Sequence, residues 1–225
     1  MVENLRVTHY NDGSELSTGY NDMEWSKLSS GAFTIYDDAI NIENYGYLYN
    51  WYAIDDERGI CPEGWYIPSD EEYKLLEMHL GMSESEADTT YWRGTDEGGK
   101  LKEEGLEHWD TPNTGATNES GFTGLPGGAR DANGSYFNIG GGGYYWTSST
   151  NFSNDAWYRL IAYNKSEISR LPVAKRSGQS VRCITYESET GMILVPQEFL
   201  TIQAAIDISS DGDNESIAKV VVTVV

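Results

Sequence analysis

The chain has 225 residues, with 36 acidic against 15 basic side chains and a formal net charge of −21. That balance repels phosphate backbones and anionic headgroups, which excludes nucleic acid as the expected partner. No run of about 20 apolar residues is present to cross a bilayer, so no membrane insertion is expected. The length suits one domain with a sizeable core and a short appendage. The chain opens on Met1-Val2-Glu3-Asn4-Leu5 without the basic and apolar regions of an export signal, so export is not legible in the residues themselves.

Asn4 to Tyr10 predicts a first strand, with Leu5 and Val7 alternating against Arg6 and Thr8, and Asn11-Asp12-Gly13 closes it with turn chemistry. An irregular turn around Trp25 and a short strand at Phe33 to Tyr36 follow. Tyr45 to Ala53 is dense in aromatics, which points to core or a short helix under a sheet rather than to a cofactor pocket. Ser69-Asp70-Glu71-Glu72 is a capping box and the clearest helix start, with acidic residues that suit the helix dipole. Tyr73, Leu76 and Leu80 share one face of that helix, and Gly81 is a natural stop. Ser83 to Tyr91 reads as a second short helix or a loop, with Glu84, Glu86 and Asp88 on a solvated face. Gly98 to Lys102 turns into a short segment that ends near Trp109.

The glycine-rich stretch from Gly115 to Ser149 is the centre of the reading. Asn133-Gly134 predicts a hairpin with a type I′ turn, which needs positive φ at both central residues. Gly140 to Gly143 predicts a hinge or a close backbone approach, and Tyr144 to Thr147 resumes as a strand. Ala156 to Tyr163, Glu167 to Leu171 and Gln179 to Tyr186 are the late strand candidates, with Pro172 ending the second or marking a sheet edge. An antiparallel sheet, one firm helix and long loops make an α+β fold class over residues 1–186. Residues 187–191 read as a polar linker. Residues 192–225 are similar to the strand and cap helix that open a pectin-lyase-type right-handed β-helix. Their apolar Val220 to Val225 end asks for a neighbour, so a homo-oligomer or filament through this tail is one expectation.

The chain resembles a family through an ordered series of blocks: VENLRVTHYNDG, YGYLYNWYA, CPEGWYIPSDEEY, GGKLKE, PNTGATNESGF, LPGGAR, YYWTSS, AWYRL and GQSVRC. This order is similar to the Fibrobacter succinogenes major paralogous domain, over about Val2 to Ile184. The resemblance implies a C-type-lectin-like fold, related to the formylglycine-generating enzymes, and a place in extracellular or cell-surface bacterial proteins. It also implies a tie between an early element and the final strand. A Cys61–Cys183 disulfide and two buried free thiols are both open on that basis.

No catalytic constellation stands out. His9, His79 and His108 lack metal-ligand spacing, there is no GxSxG elbow, and Gly140 to Gly143 lacks the Lys-Ser/Thr of a phosphate loop. The reactive cysteine pair of the formylglycine-generating enzymes has no counterpart in Cys61 and Cys183, which are far apart in sequence. The expectation is therefore no enzyme and no cofactor, with an enzyme of that type as the last alternative. By the lectin-like resemblance, ligands meet the late strands and loops, here Tyr144 to Arg170. Tyr145, Trp157, Tyr158, Arg159, Tyr163, Asn164 and Arg170 are the candidate binding residues for a glycan or a surface protein, since flat rings stack on sugar faces and Arg or Asn reads hydroxyls. For Trp146 and Trp157 a core position is the favoured reading; for Tyr158, Asn164 and Arg170, exposure. Asn151, Asn154 and Asp155 form a calcium candidate, although calcium takes about six to eight oxygens and these residues also suit turns. The competing reading is a structural or assembly domain of an adhesin, filament or phage fibre.

Overall fold

The computed structural model describes residues 3–36 and 42–185. The expected linker at 187–191 and the β-helix-like tail at 192–225 lie outside the described residues. In chain order the elements are α1 (Asp22–Trp25), β1 (Phe33–Thr34), α2 (Ile42–Tyr45), β2 (Leu48–Asn50), α3 (Trp51–Ile54), β3 (Trp65–Tyr66), α4 (Asp70–His79), α5 (Glu84–Ala87), β4 (Tyr91–Arg93) and α6 (Glu97–Leu101). Then come β5 (Gly127–Arg130), β6 (Tyr136–Ile139), β7 (Gly142–Asn151), β8 (Asp155–Ala162), β9 (Ile168–Ala174), β10 (Gly178–Gln179) and β11 (Ile184–Thr185). The main sheet runs β1-β2-β10-β5-β7-β8-β9-β4, with β6 paired on β5. Its pairs are antiparallel except β5–β7, and β3 with β11 forms a separate two-stranded sheet. The class is α+β.

Strands β7 to β9 divide the interior because successive side chains point to opposite faces. Tyr144, Trp146, Ala156 and Tyr158 join one cluster with Tyr49, Trp51 and Val181. Tyr145, Ile161 and Ile168 join the other, under Tyr73 and Leu76 of α4 and Leu80 at its C-cap. The α4 start forms as the sequence indicates: Ser69 accepts the Glu72 amide and Glu72 accepts the Ser69 amide. Cys61 and Cys183 are bonded, closing 122 positions of chain. In the chain-entropy model a loop of that length contributes about 4–5 kcal/mol.

Four expected elements differ, and the simplest is the Gly98 to Lys102 turn, where Glu97–Leu101 forms helix α6. Asn4 to Tyr10 is not a strand, because its backbone finds partners on separate segments: the Leu5 N–H donates to Val181 O at 2.9 Å, while Leu5 O accepts from Tyr47 N–H at 3.0 Å. The Gln179–Tyr186 strand is broken into β10 and β11, because the Arg182 side chain turns inward to donate to Phe122 O and Thr123 O. The hairpin at Asn133-Gly134 exists, since β5 and β6 pair up to Arg130 and Tyr136, but its turn is not type I′. Of the two central residues only Gly134 has positive φ, at 101°. The Asp131 carboxylate instead accepts from the Asn133 N–H at 2.8 Å and the Ser135 N–H at 3.0 Å, closing a wider loop. Gly134 is needed there for space as well, since a Cβ would come within 2.3 Å of Asp22 Cα.

Candidate functional site

Asp70 and Glu77 lie two turns apart on α4, so both project from the same face towards the sheet. Both are buried, Glu77 completely. Arg159 of β8 bridges them, with Nη1 2.6 Å from Asp70 Oδ1 and Nε 2.6 Å from Glu77 Oε1. Arg93 of β4 takes the other Glu77 oxygen, and Arg170 of β9 donates to Asp70 Oδ2 at 2.6 Å. Burial alone would raise the Asp70 carboxyl, but the hydrogen bonds from Arg170 and the Arg159 charge outweigh it and hold the group below its ordinary value. Helix α4 is thereby fixed to three strands by ionic contacts with few other arrangements open to them.

The outer end of this network carries the accessible aromatics. The half-exposed Trp157 ring lies over the Arg170 guanidinium, 3.8 Å from Cζ to ring centroid. Pro172 is registered opposite Trp157, and Tyr91 opposite Arg170. Tyr91 is 67% exposed and has φ 68°, an unusual conformation for an aromatic residue. Trp92 is 38% exposed, and the Lys165 ammonium lies 5.8 Å from its ring centroid. Strand β4 reaches only as far as Arg170, so Leu171 to Ala174 form the sheet edge and Pro172 sits where a missing N–H costs no ladder bond.

The turn beside this edge, Tyr163 to Glu167, is held from below by Lys102. That buried ammonium donates to Thr114 O at 2.7 Å, Lys165 O at 2.9 Å and Ala162 O at 3.0 Å. Burial pushes its pKa down to about 8. Tyr163 is half-buried and Asn164 exposed on this turn.

Four of the expected binding residues are therefore not available to a ligand. Tyr145 is buried, its hydroxyl donating to Leu125 O at 2.9 Å. Tyr158 is buried against Tyr144 and Trp146, and burial pushes its hydroxyl up to about 12. Arg159 and Arg170 are committed to Asp70 and Glu77, because charges on central strands must find buried counter-charges. Trp146 is core as expected, while Trp157 departs from its core reading and is half-exposed. Trp157, Tyr163 and Asn164 remain from the expected set. Tyr91, Trp92 and Pro172 join them. Sequence reasoning missed the first two because a three-residue edge strand shows no alternation, and the only signal was an aromatic pair after the acidic run.

Asn151, Asn154 and Asp155 sit at the β7–β8 hairpin end, where Asn151 pairs with Asp155 across the strands. They supply a single carboxylate. Among the described residues the compact acid–histidine grouping is Glu103, Glu107 and His108, with ligand atoms within 4.8 Å of one another. There His108 Nδ1 lies 2.9 Å from both Glu103 oxygens, within hydrogen-bond distance. Both cysteines of the chain are in the bridge, so neither is a free thiol.

A family model described as the Fibrobacter succinogenes major domain matches residues 1–185. The chain belongs to this family. No curated protein and no solved structure matches it significantly. The match ends where the described domain ends, so the network and the aromatic edge both lie inside the family's own domain. No helix among the described residues is long and apolar enough to cross a membrane.

Proposed function

We propose that the domain is a non-enzymatic recognition module of lectin-like type, working outside the cell or at its surface. It takes a glycan on the edge formed by Trp157, Tyr91 and Pro172, with Trp92, Tyr163 and Asn164 around the adjoining turn. The observation that carries this reading is the Trp157 ring, held on a guanidinium that is itself pinned by a buried carboxylate. A ring fixed in this way loses little freedom when a sugar stacks on it. The disulfide supports an oxidising compartment. The absence of a free thiol favours recognition over chemistry of the formylglycine-generating kind.

A glycan array followed by titration of the hits tests it. Trp157→Ala is expected to weaken binding at least about tenfold, or about 1.4 kcal/mol, while Met23→Ala on the exposed helix α1 leaves it unchanged. Equal affinity of the Trp157→Ala variant and the unaltered domain would overturn the proposal. One observation favours the assembly reading: Phe152, at the β7–β8 tip, is 84% exposed and has φ 62°. If that tip docks on a protein, Phe152→Ser abolishes association in sedimentation and leaves glycan binding intact.

A further inference from the structure

The charges around the aromatic edge narrow the class of ligand; this step rests on the recognition reading above. Of the described cations around this edge, Lys175 lies over the Trp51 ring and Arg176 is exposed beyond the end of β9, while the others are already committed. Lys74 lies 2.6 Å from Asp88, 2.8 Å from Glu71 and 3.8 Å from Asp70, and only 11% of its side chain is exposed. Arg93 and Arg170 are consumed by Glu77 and Asp70, and Lys165 lies 3.7 Å from Glu167. The carboxylates that balance Lys74 face solvent instead: the Glu71 side chain is 76% exposed and that of Asp88 is 65% exposed. Asp88 is tied directly to the platform, and Glu71 is joined to Asp88 through Lys74. Arg170 Nη1, beneath the Trp157 ring, donates to Asp88 O at 3.0 Å. Glu84 and Glu86 on α5 are also exposed and carry no ion pair among the described residues.

We infer that the ligand is a glycan bearing protonated amines, an unacetylated amino sugar, rather than a neutral or uronic one. Three effects act in the same direction. The Tyr91 ring presents negative quadrupole density, which attracts a cation as well as a flat apolar surface, while the Trp157 ring, already on the Arg170 guanidinium, offers its other face for apolar stacking. Glu71 and Asp88 stand at the rim with oxygens free to accept from an ammonium, and such charge-assisted bonds are the stronger kind. The net charge of −21 raises the local concentration of cations and repels uronates before contact. The rings bind the sugar face and the rim carboxylates select its charge.

The experiment compares an oligomer of glucosamine, its fully N-acetylated counterpart and an oligouronate on the intact chain, each at low and high salt. The amine form is expected to bind at least about tenfold more tightly than the acetylated one, to weaken as salt rises, and to lose that preference in the Glu71→Gln/Asp88→Asn double variant. Glu84→Gln, a lone surface carboxylate outside the Lys74 contacts, is expected to reduce the salt slope alone, which guards against misfolding in the double variant. Equal binding of amine and acetylated forms, both still lost in Trp157→Ala, would overturn the charge inference and leave the platform standing. Binding of none of the three would bring down the glycan reading itself. Tighter binding of a lysine-rich peptide through the same carboxylates would overturn the sugar class.

Discussion

Two regions of this domain exchange the roles usually given to their residue types. Beneath α4, the interior is charged: Asp70, Glu77, Arg93, Arg159 and Arg170 are all buried. At the β4–β9 edge a few ångströms away, the surface is aromatic, with Tyr91, Trp92 and Trp157 open to solvent. The difference teaches that exposure here follows the availability of partners, not polarity. An arginine on a central strand can be buried when α4 delivers carboxylates to it, and a tryptophan at the last strand has nothing left to cover it.

The largest expected effect tests the charged interior. Glu77→Ala leaves Arg93 without counter-charge and Arg159 with Asp70 alone, and an uncompensated buried charge costs about 3–5 kcal/mol; urea unfolding reads this, and a loss below about 1 kcal/mol would mean that the network is not what holds α4. Removing the bridge with Cys61→Ser and Cys183→Ser comes next, at about 2–5 kcal/mol, measured by thermal unfolding of the double variant beside the parent. Asp70 gives a smaller and pH-dependent effect. Its folded carboxyl titrates below its ordinary value, so its contribution is complete above about pH 4 and is lost as pH falls through the folded value. Asp70→Asn is therefore expected to flatten the acid limb of a stability–pH curve; an unchanged limb would place the acid sensitivity elsewhere. Smallest is the exposed edge: Asn164→Ala is expected to move stability by no more than about 0.5 kcal/mol, and a larger loss would show that the turn is structural.

The same contrast explains what the sequence disclosed. Local signals were readable: the Ser69–Glu72 cap, the stop at Gly81, the edge at Pro172 and the hairpin around Gly134 all depend on neighbours within a few residues. The turn type at Asn133 was not, because the Asp131 carboxylate replaced the backbone geometry that the dipeptide favours. The burial of Arg159 was out of reach because its partners on α4 are 82 and 89 positions away. Tyr145 and Tyr158 alternate on one side or the other of a sheet whose two faces are both covered, so periodicity could not tell core from docking surface. The disulfide was one of two open alternatives, and only proximity in space decides it.

The clasp between Cys61 and Cys183 has a consequence for load. The Arg182 Nε–H donates to Asn4 Oδ1 at 2.8 Å, so the two ends of the domain leave from the same place. Tension pulling on residues 3 and 185 passes along the first stretch to Cys61, across the sulfurs and out, bypassing everything covalently enclosed between them. Every residue of the aromatic edge and of the charged network lies inside that sheltered loop. A tether under strain would peel the leading segment away while the gripping surface keeps its shape.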